Sequence, residues 1–191
     1  MIDTIGLIAG SGWAAGVNLY LVALMLGVTG RMGWADIPTV LTRTDVMIVC
    51  GVLFLVEFFV DKVPYLDNAW DAVHTVVRPL GAAAIGAVLA GDAENVGVAI
   101  GAIVSGALAV DAHAAKATTR VVVNTSPEPF SNVALSLAED LGVGLLVTLA
   151  LSYPVVTVIV VAVLVIAATA LVVWLLGVAR RSWSRIRERR A

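Results

Sequence analysis

The sequence predicts an all-α integral membrane protein with about six transmembrane helices, some of them broken or re-entrant. Three observations predict it. The 191 residues are 60% hydrophobic and 14% charged, against about 25% charged in a soluble domain, and mean hydropathy is +0.99. Apolar runs of bilayer-crossing length recur along the chain. The last of them ends in a tail with six arginines (Arg180, Arg181, Arg185, Arg187, Arg189, Arg190), the pattern that keeps a terminus in the cytoplasm. Net charge is −2, so no global field points to nucleic acid. The single cysteine, Cys50, allows no intramolecular disulfide. The N-terminus lacks a basic stretch and is not read as a cleaved leader.

The first apolar segment, 5–29, is long enough to cross once. It carries Gly6, Gly10, Gly12, Gly16 and Gly27, with Asn18 in the middle. Two readings stand side by side. Small residues let helices pack closely; alternatively the helix is interrupted, and Asn18 and Tyr20 line a cavity with freed backbone groups. A polar link, 30–44, leads to a second span, 45–60, with Glu57 and Asp61 at its end.

The stretch 57–79 is the most polar part of the chain's interior. Leu66, Trp70, Val73, Val77 and Leu80 fall on one helical face. Asp67, Asp71, His74 and Arg78 follow at i+4, i+3 and i+4, forming a stripe on another. Pro79 is expected to kink or restart the helix, and the run 80–90 is too short to span alone. A turn at 91–95 precedes a fourth span, 96–110, with Asp111 and His113 just past its end and Lys116 and Arg120 beyond. Pro127 and Pro129 cannot both continue a helix, so 126–132 is expected to be a turn, with Ser131 as N-cap of the next span. That fifth span, 133–151, contains Glu139 and Asp140; the last runs over 155–178.

Six crossings put Lys62, Arg78, Lys116, Arg120 and the tail on one side, leaving Arg31 and Arg43 of the twelve basic residues on the other. Both termini are then cytoplasmic in a bacterial inner membrane. Five spans plus a re-entrant segment compete. Residues 1–178 form one transmembrane domain and 179–191 a basic cytoplasmic tail. Within the domain, 45–94 and 95–151 match weakly at a register of fifty residues, a parallel repeat that pairs Asp61 with Asp111, Pro79 with Pro129, His74 with Asn124 and Arg78 with Glu128.

Three stretches carry a resemblance: GVNLY (16–20), DKVPYLDNAWDAVHTVVRP (61–79) and NTSPEPFSN (124–132). They look like the domain-of-unknown-function family 4126 of bacterial membrane proteins. The resemblance implies a small polytopic membrane protein and confers no catalytic assignment. EFFVDK (57–62) is also faintly similar to the acidic-Asp-Lys motif of a cation-exchanger family for calcium and manganese. The acid-to-acid spacing here is one residue longer, and Val63 stands where that motif has Ser or Thr.

Ionisable groups at membrane depth cost about 2.5–3.5 kcal/mol each on insertion scales. Glu57, Asp61, Asp111, Glu139 and Asp140 are therefore expected to avoid lipid, pairing with Lys62, Arg78, Lys116 or Arg120 or lining a wet cavity. Carboxylate and histidine at i, i+3 is a ligand spacing of helical metal sites. One hypothesis is thus a divalent-cation site from Asp61, Asp67, Asp71, His74, Asp111, His113 and Glu128. The other is a solvated ion-pair stripe on an interfacial helix, favoured because charge stripes usually face water. The histidines are also candidates for proton relay. The expected cavity or gate comprises Asn18, Tyr20, Glu57, Asp61, Lys62, Arg78, Asn124, Glu128, Asn132, Glu139 and Asp140. No Walker glycine loop, GxSxG or HExxH is present, leaving ATP and serine hydrolysis unsupported. The expected function is a small carrier or channel-like transporter, with a divalent cation as first cargo. A metal-dependent or lipid-handling membrane enzyme and a structural partner without cargo are the alternatives. The expected partners are the lipid bilayer, a small ion or solute and further copies of the chain through the Gly/Ala-rich spans, with no nucleic acid.

Overall fold

Apolar segments with few turn residues form helices throughout the structure, a computed structural model that describes residues 2–91, 95–125 and 129–188. Among these residues there are seven helices: α1 (Ile2–Val17), α2 (Leu19–Arg31), α3 (Thr44–Val60), α4 (Leu66–Leu89), α5 (Asn95–Val123), α6 (Pro129–Ser152) and α7 (Pro154–Glu188). Helices α4 to α7 contain four segments long and apolar enough to cross a membrane, while α1 and α2 are apolar but shorter.

The first apolar segment is two helices, not one crossing. Asn18 lies between them with φ −147° and ψ 97° and turns the chain back. Asp3 and Leu7 of α1 share a cavity with Trp34, Gly91, Ser152 and Pro154. Val28 and Thr29 of α2 share another with Thr148 and Ser152. A straight helix would hold Leu7 and Thr29 about 33 Å apart. The pair instead begins and ends at one end of the bundle, with its tip inside. Both sequence readings of this segment contribute. The helix is interrupted, and its glycines are also packing contacts: a Cβ on Gly12 would overlap Ser105, and one on Gly16 would overlap the backbone of Ala109.

The remaining helices alternate in direction, α3 leaving the end of the bundle where α1 starts and α7 leaving it last. Gly6 of α1 abuts Pro154, whereas Thr169, four turns along α7, reaches Asp111. The far end of α7 therefore lies opposite the start of α1. The six separate spans expected from the sequence differ from this arrangement, in which α1 and α2 fold back on each other.

Three further expectations change. Of the kink or restart expected at Pro79, the restart does not occur: α4 runs from Leu66 to Leu89 with Pro79 inside it. Proline removes a single backbone donor, a loss that packed neighbours tolerate at membrane depth. Helix α5 does not end at residue 110 but carries Asp111, His113, Lys116 and Arg120 within it, because this alanine-rich stretch favours helix. Ser131 is the third residue of α6 rather than its cap; Pro129 opens the helix, a position suited to proline's fixed φ and missing N–H. The fifty-residue register sets Pro79, in the middle of α4, against Pro129, at the start of α6. It likewise sets Asp61, the C-cap of α3, against Asp111, inside α5. Helix α7 continues to Glu188, so the basic tail extends the last helix.

A buried charge network as the candidate functional site

Helix α4 is amphipathic with its polar face inward. Asp67, Asp71, His74 and Arg78 are buried, while Leu66, Val73 and Leu80 are exposed. This corrects the reading of a solvated stripe: when the outer medium is lipid, the apolar face turns outward. Helix α5 presents the complementary stripe. His113, Lys116 and Arg120 follow at i+3 and i+4 on one face and are all buried. Helix α3 contributes Glu57, the one buried residue of its length, so an acid, rather than an oily face, ties that helix inward.

The pairing is dense. Arg78 donates to Glu57 at 2.6 Å, to Asp71 at 2.9 Å and to His113 Nδ1 at 2.7 Å. Lys116 donates to Asp61 at 2.6 Å, stands 3.5 Å from Glu57 and 3.7 Å from Glu139, and donates to the Val17 carbonyl at 3.0 Å. That carbonyl is exposed by the break at Asn18. Arg120 bonds Glu139 and lies 3.5 Å from both Asp61 and Asp67. Asn124 Nδ2 donates to both oxygens of Asp67, at 2.9 and 3.0 Å, and its own oxygen accepts from Asn132 at 2.9 Å. Asn18 caps α2 by accepting from the Leu21 N–H and donates to Asp140 at 3.0 Å. The network thus joins α3, α4, α5, α6 and the tip of the α1–α2 pair.

The histidines are fixed in opposite tautomers. His74 Nδ1 faces the Trp70 carbonyl at 2.8 Å, so it carries the proton; Nε2 then accepts from the Tyr20 hydroxyl at 2.9 Å. His113 Nδ1 receives the Arg78 guanidinium, so its Nε2–H points at Thr75 Oγ1, 3.1 Å away. Each lone pair is directed by a neighbour that can only donate there.

Six carboxylates (Glu57, Asp61, Asp67, Asp71, Glu139, Asp140) meet three cations (Arg78, Lys116, Arg120). The acids are in excess, and the excess shows in the hydrogen bonding. Glu57 Oε2, Asp61 Oδ1, Asp71 Oδ2 and Asp140 Oδ2 are buried without a hydrogen-bond partner among the described residues.

Most of the expected cavity residues meet here, and the acids Glu57, Asp61 and Glu139 pair with the basic residues named for them. Lys62 does not join; its ammonium lies 3.1 Å from the Phe58 ring centroid and donates to Phe58 O and Ser136 Oγ. Glu128 lies outside the described residues. The expected metal set is not assembled. Among the described residues no three of His, Cys, Asp and Glu are placed to hold a metal ion. The acids of that set are turned to arginine, lysine and asparagine, while Asp111 faces the other way and accepts from Trp13 Nε1 at 3.2 Å and Thr169 at 2.8 Å. Sequence reasoning named Lys116 and Arg120 only as ion-pair partners, not as members of the cavity, and left Thr75 out. The i+3, i+4 spacing of His113, Lys116 and Arg120 was the signal, hidden by ending the helix at 110.

Two cavities are relevant, of which the second borders the network through Val17 and Glu139. One of about 730 Å3, at the end of the bundle where α1 starts, is lined by Asp3, Asp36, Thr4 and Thr39 and by no described lysine or arginine. The other, about 610 Å3, is an apolar groove between α1, α6 and α7 whose only charged lining residue among those described is Glu139.

Comparison with curated proteins and with solved structures finds no match. The family model described as "Domain of unknown function (DUF4126)" matches residues 5–174, which covers every helix of the network, and the chain belongs to that family.

Proposed function

We propose that the protein is a small membrane transporter, carrier or channel-like, for a cationic solute, with the charge network as its gate and binding site. The observation that carries the reading is the tip of the α1–α2 pair. It brings a freed backbone carbonyl and unpartnered carboxylate oxygens together in the middle of the bundle. Irregular backbone at membrane depth is tolerated where it is buried in protein or lines a path, and helix ends at the midplane are how carriers hold ions. The acid-lined cavity at one end would concentrate cations ahead of the site. In this reading α3 to α7 cross a bacterial inner membrane and α1–α2 enters and leaves by one face. The basic C-terminal end is cytoplasmic and the N-terminal end is on the outside. Arg31 and Arg43 are then the basic residues on the outer side.

The test is flux into liposomes, run in turn for protons, monovalent cations and divalent cations, wild type beside Glu57→Gln. Glu57 touches both Arg78 and Lys116, so its neutralisation should abolish flux while leaving the protein monodisperse. Lack of flux for all three cargo classes would sink the transport reading. A structural partner without cargo is the second reading, favoured by the ion pairs that hold Arg78, Lys116 and Arg120 within the chain.

A further inference from the structure

We infer that the Lys116 position is a binding site for a membrane-soluble primary amine, whose ammonium replaces that of Lys116 and whose apolar tail lies in the groove between α1, α6 and α7. The inference rests on the transport reading and names its cargo class.

The Lys116 ammonium is surrounded by Asp61 Oδ2 at 2.6 Å, the Val17 carbonyl at 3.0 Å, Glu57 Oε1 at 3.5 Å and Glu139 Oε2 at 3.7 Å. These distances suit N–H donors spread over several oxygens. Three of the four are too long for a small divalent metal, which takes oxygens at about 2.0–2.6 Å. The site also has capacity beyond its tethered occupant. Glu57 Oε2 and Asp61 Oδ1, the second oxygens of two of these carboxylates, are buried and unpartnered.

The groove supplies the rest of the ligand's chemistry. Two of the residues lining it, Val17 and Glu139, are themselves partners of Lys116. Leu135, Leu146 and Leu164 are among its apolar walls. A path with oily walls that ends at an ammonium site selects a molecule with an oily tail and an ammonium head. A quaternary head would carry the same charge but no N–H to give to Val17 or Asp61.

Lys116 is then a tethered competitor, present at an effective concentration of roughly millimolar or more. Free amine should bind weakly to the wild type and tightly once the tether is removed. The experiment is thermal unfolding of wild type and Lys116→Met in mild detergent, with octylamine, octyltrimethylammonium or octanol added. In Lys116→Met, octylamine at 100-fold over its Kd should raise Tm by about 5 °C or more. Octyltrimethylammonium and octanol should not, and wild type should not move at micromolar amine. If the variant fails to survive extraction alone, survival in octylamine and not in octyltrimethylammonium is the same result read as rescue. Equal behaviour in the two, whether both fold or both aggregate, overturns the inference. Binding without flux in liposomes would keep the site and remove transport; flux of another cation without amine selectivity would do the reverse.

Discussion

Replacing Arg78 by methionine should be the most damaging single change in the network. Its guanidinium is fully buried and holds Glu57, Asp71 and His113 at 2.6, 2.9 and 2.7 Å. Methionine fills much of the same volume, so little is lost in packing. What remains, away from water, is Asp71 without its counter-charge and Glu57 with only Lys116, 3.5 Å away. Breaking one partner of a buried pair costs about 3–5 kcal/mol. For a chain of this length each kcal/mol is about 2–4 °C in Tm, so the drop should be roughly 6–20 °C. Intrinsic fluorescence of the five tryptophans, recorded with light scattering during heating in mild detergent, reads it directly. The double variant Arg78→Met/Glu57→Gln should recover part of the loss, because one stranded charge is then neutral. A drop under about 2 °C for Arg78→Met, or no recovery in the double variant, would mean that water reaches these side chains and that the network is not the low-dielectric assembly argued above.

Asn18→Ala removes both the α2 cap and the bond to Asp140, and should cost about 1–3 kcal/mol by the same melting assay. Gly16→Ala should destabilise by about 1–3 kcal/mol because its Cβ meets the backbone of Ala109, whereas Gly51→Ala meets nothing within 4 Å and should be neutral or slightly stabilising. In a Cys50→Ser background, Asp36→Cys should react with an impermeant thiol reagent added to intact cells and Thr125→Cys only after lysis; the reverse pattern would invert the proposed orientation. Tyr20→Phe removes the hydroxyl given to His74 Nε2 and should cost about 0.5–1.5 kcal/mol.

Much of the helical content and most of the site were legible from residue spacing, and the misreadings share one cause. The stripe of Asp67, Asp71, His74 and Arg78 was visible as a face, but its direction was not. A charged stripe and an oily stripe look the same in sequence whether water or lipid lies outside, and the rule that charge faces water inverts in a bilayer. The end of α5 was placed at 110 because Asp111 opens a run of polar residues. Yet Ala112, Ala114 and Ala115 keep the helix going, and the polar residues are its inner face. The turn at Asn18 was half legible: the glycines and the asparagine marked a weak point, while the angle taken there depends on α5 and α6. Gly12 and Gly16 fit against Ser105 and Ala109, and Asn18 reaches Asp140. Asp111 could not be separated from the other acids by spacing alone, since its partners, Trp13 and Thr169, lie 98 and 58 residues away.

Folding α1 against α2 creates an electrostatic problem that the network answers. The tip carries the C-terminal end of α1 and the N-terminal end of α2, with partial charges of opposite sign. Both ends are buried in the protein, so each needs a partner from the chain. The negative end of α1 receives Lys116 on the Val17 carbonyl, and the positive end of α2 lies beside Asp140 through the Asn18 side chain. Lys116 cannot be buried for that purpose without its own acids, which Asp61 and Glu57 provide; Glu57 in turn requires Arg78, and Arg78 requires Asp71. Each charge is explained by the previous one, beginning from the helix end. The acids nevertheless outnumber what this chain of requirements consumes, leaving four carboxylate oxygens without a partner. Arg78 Nε is left over as well among the described residues, so the network is not a finished scaffold, and under the proposed transport reading an incoming cation would take up the surplus oxygens.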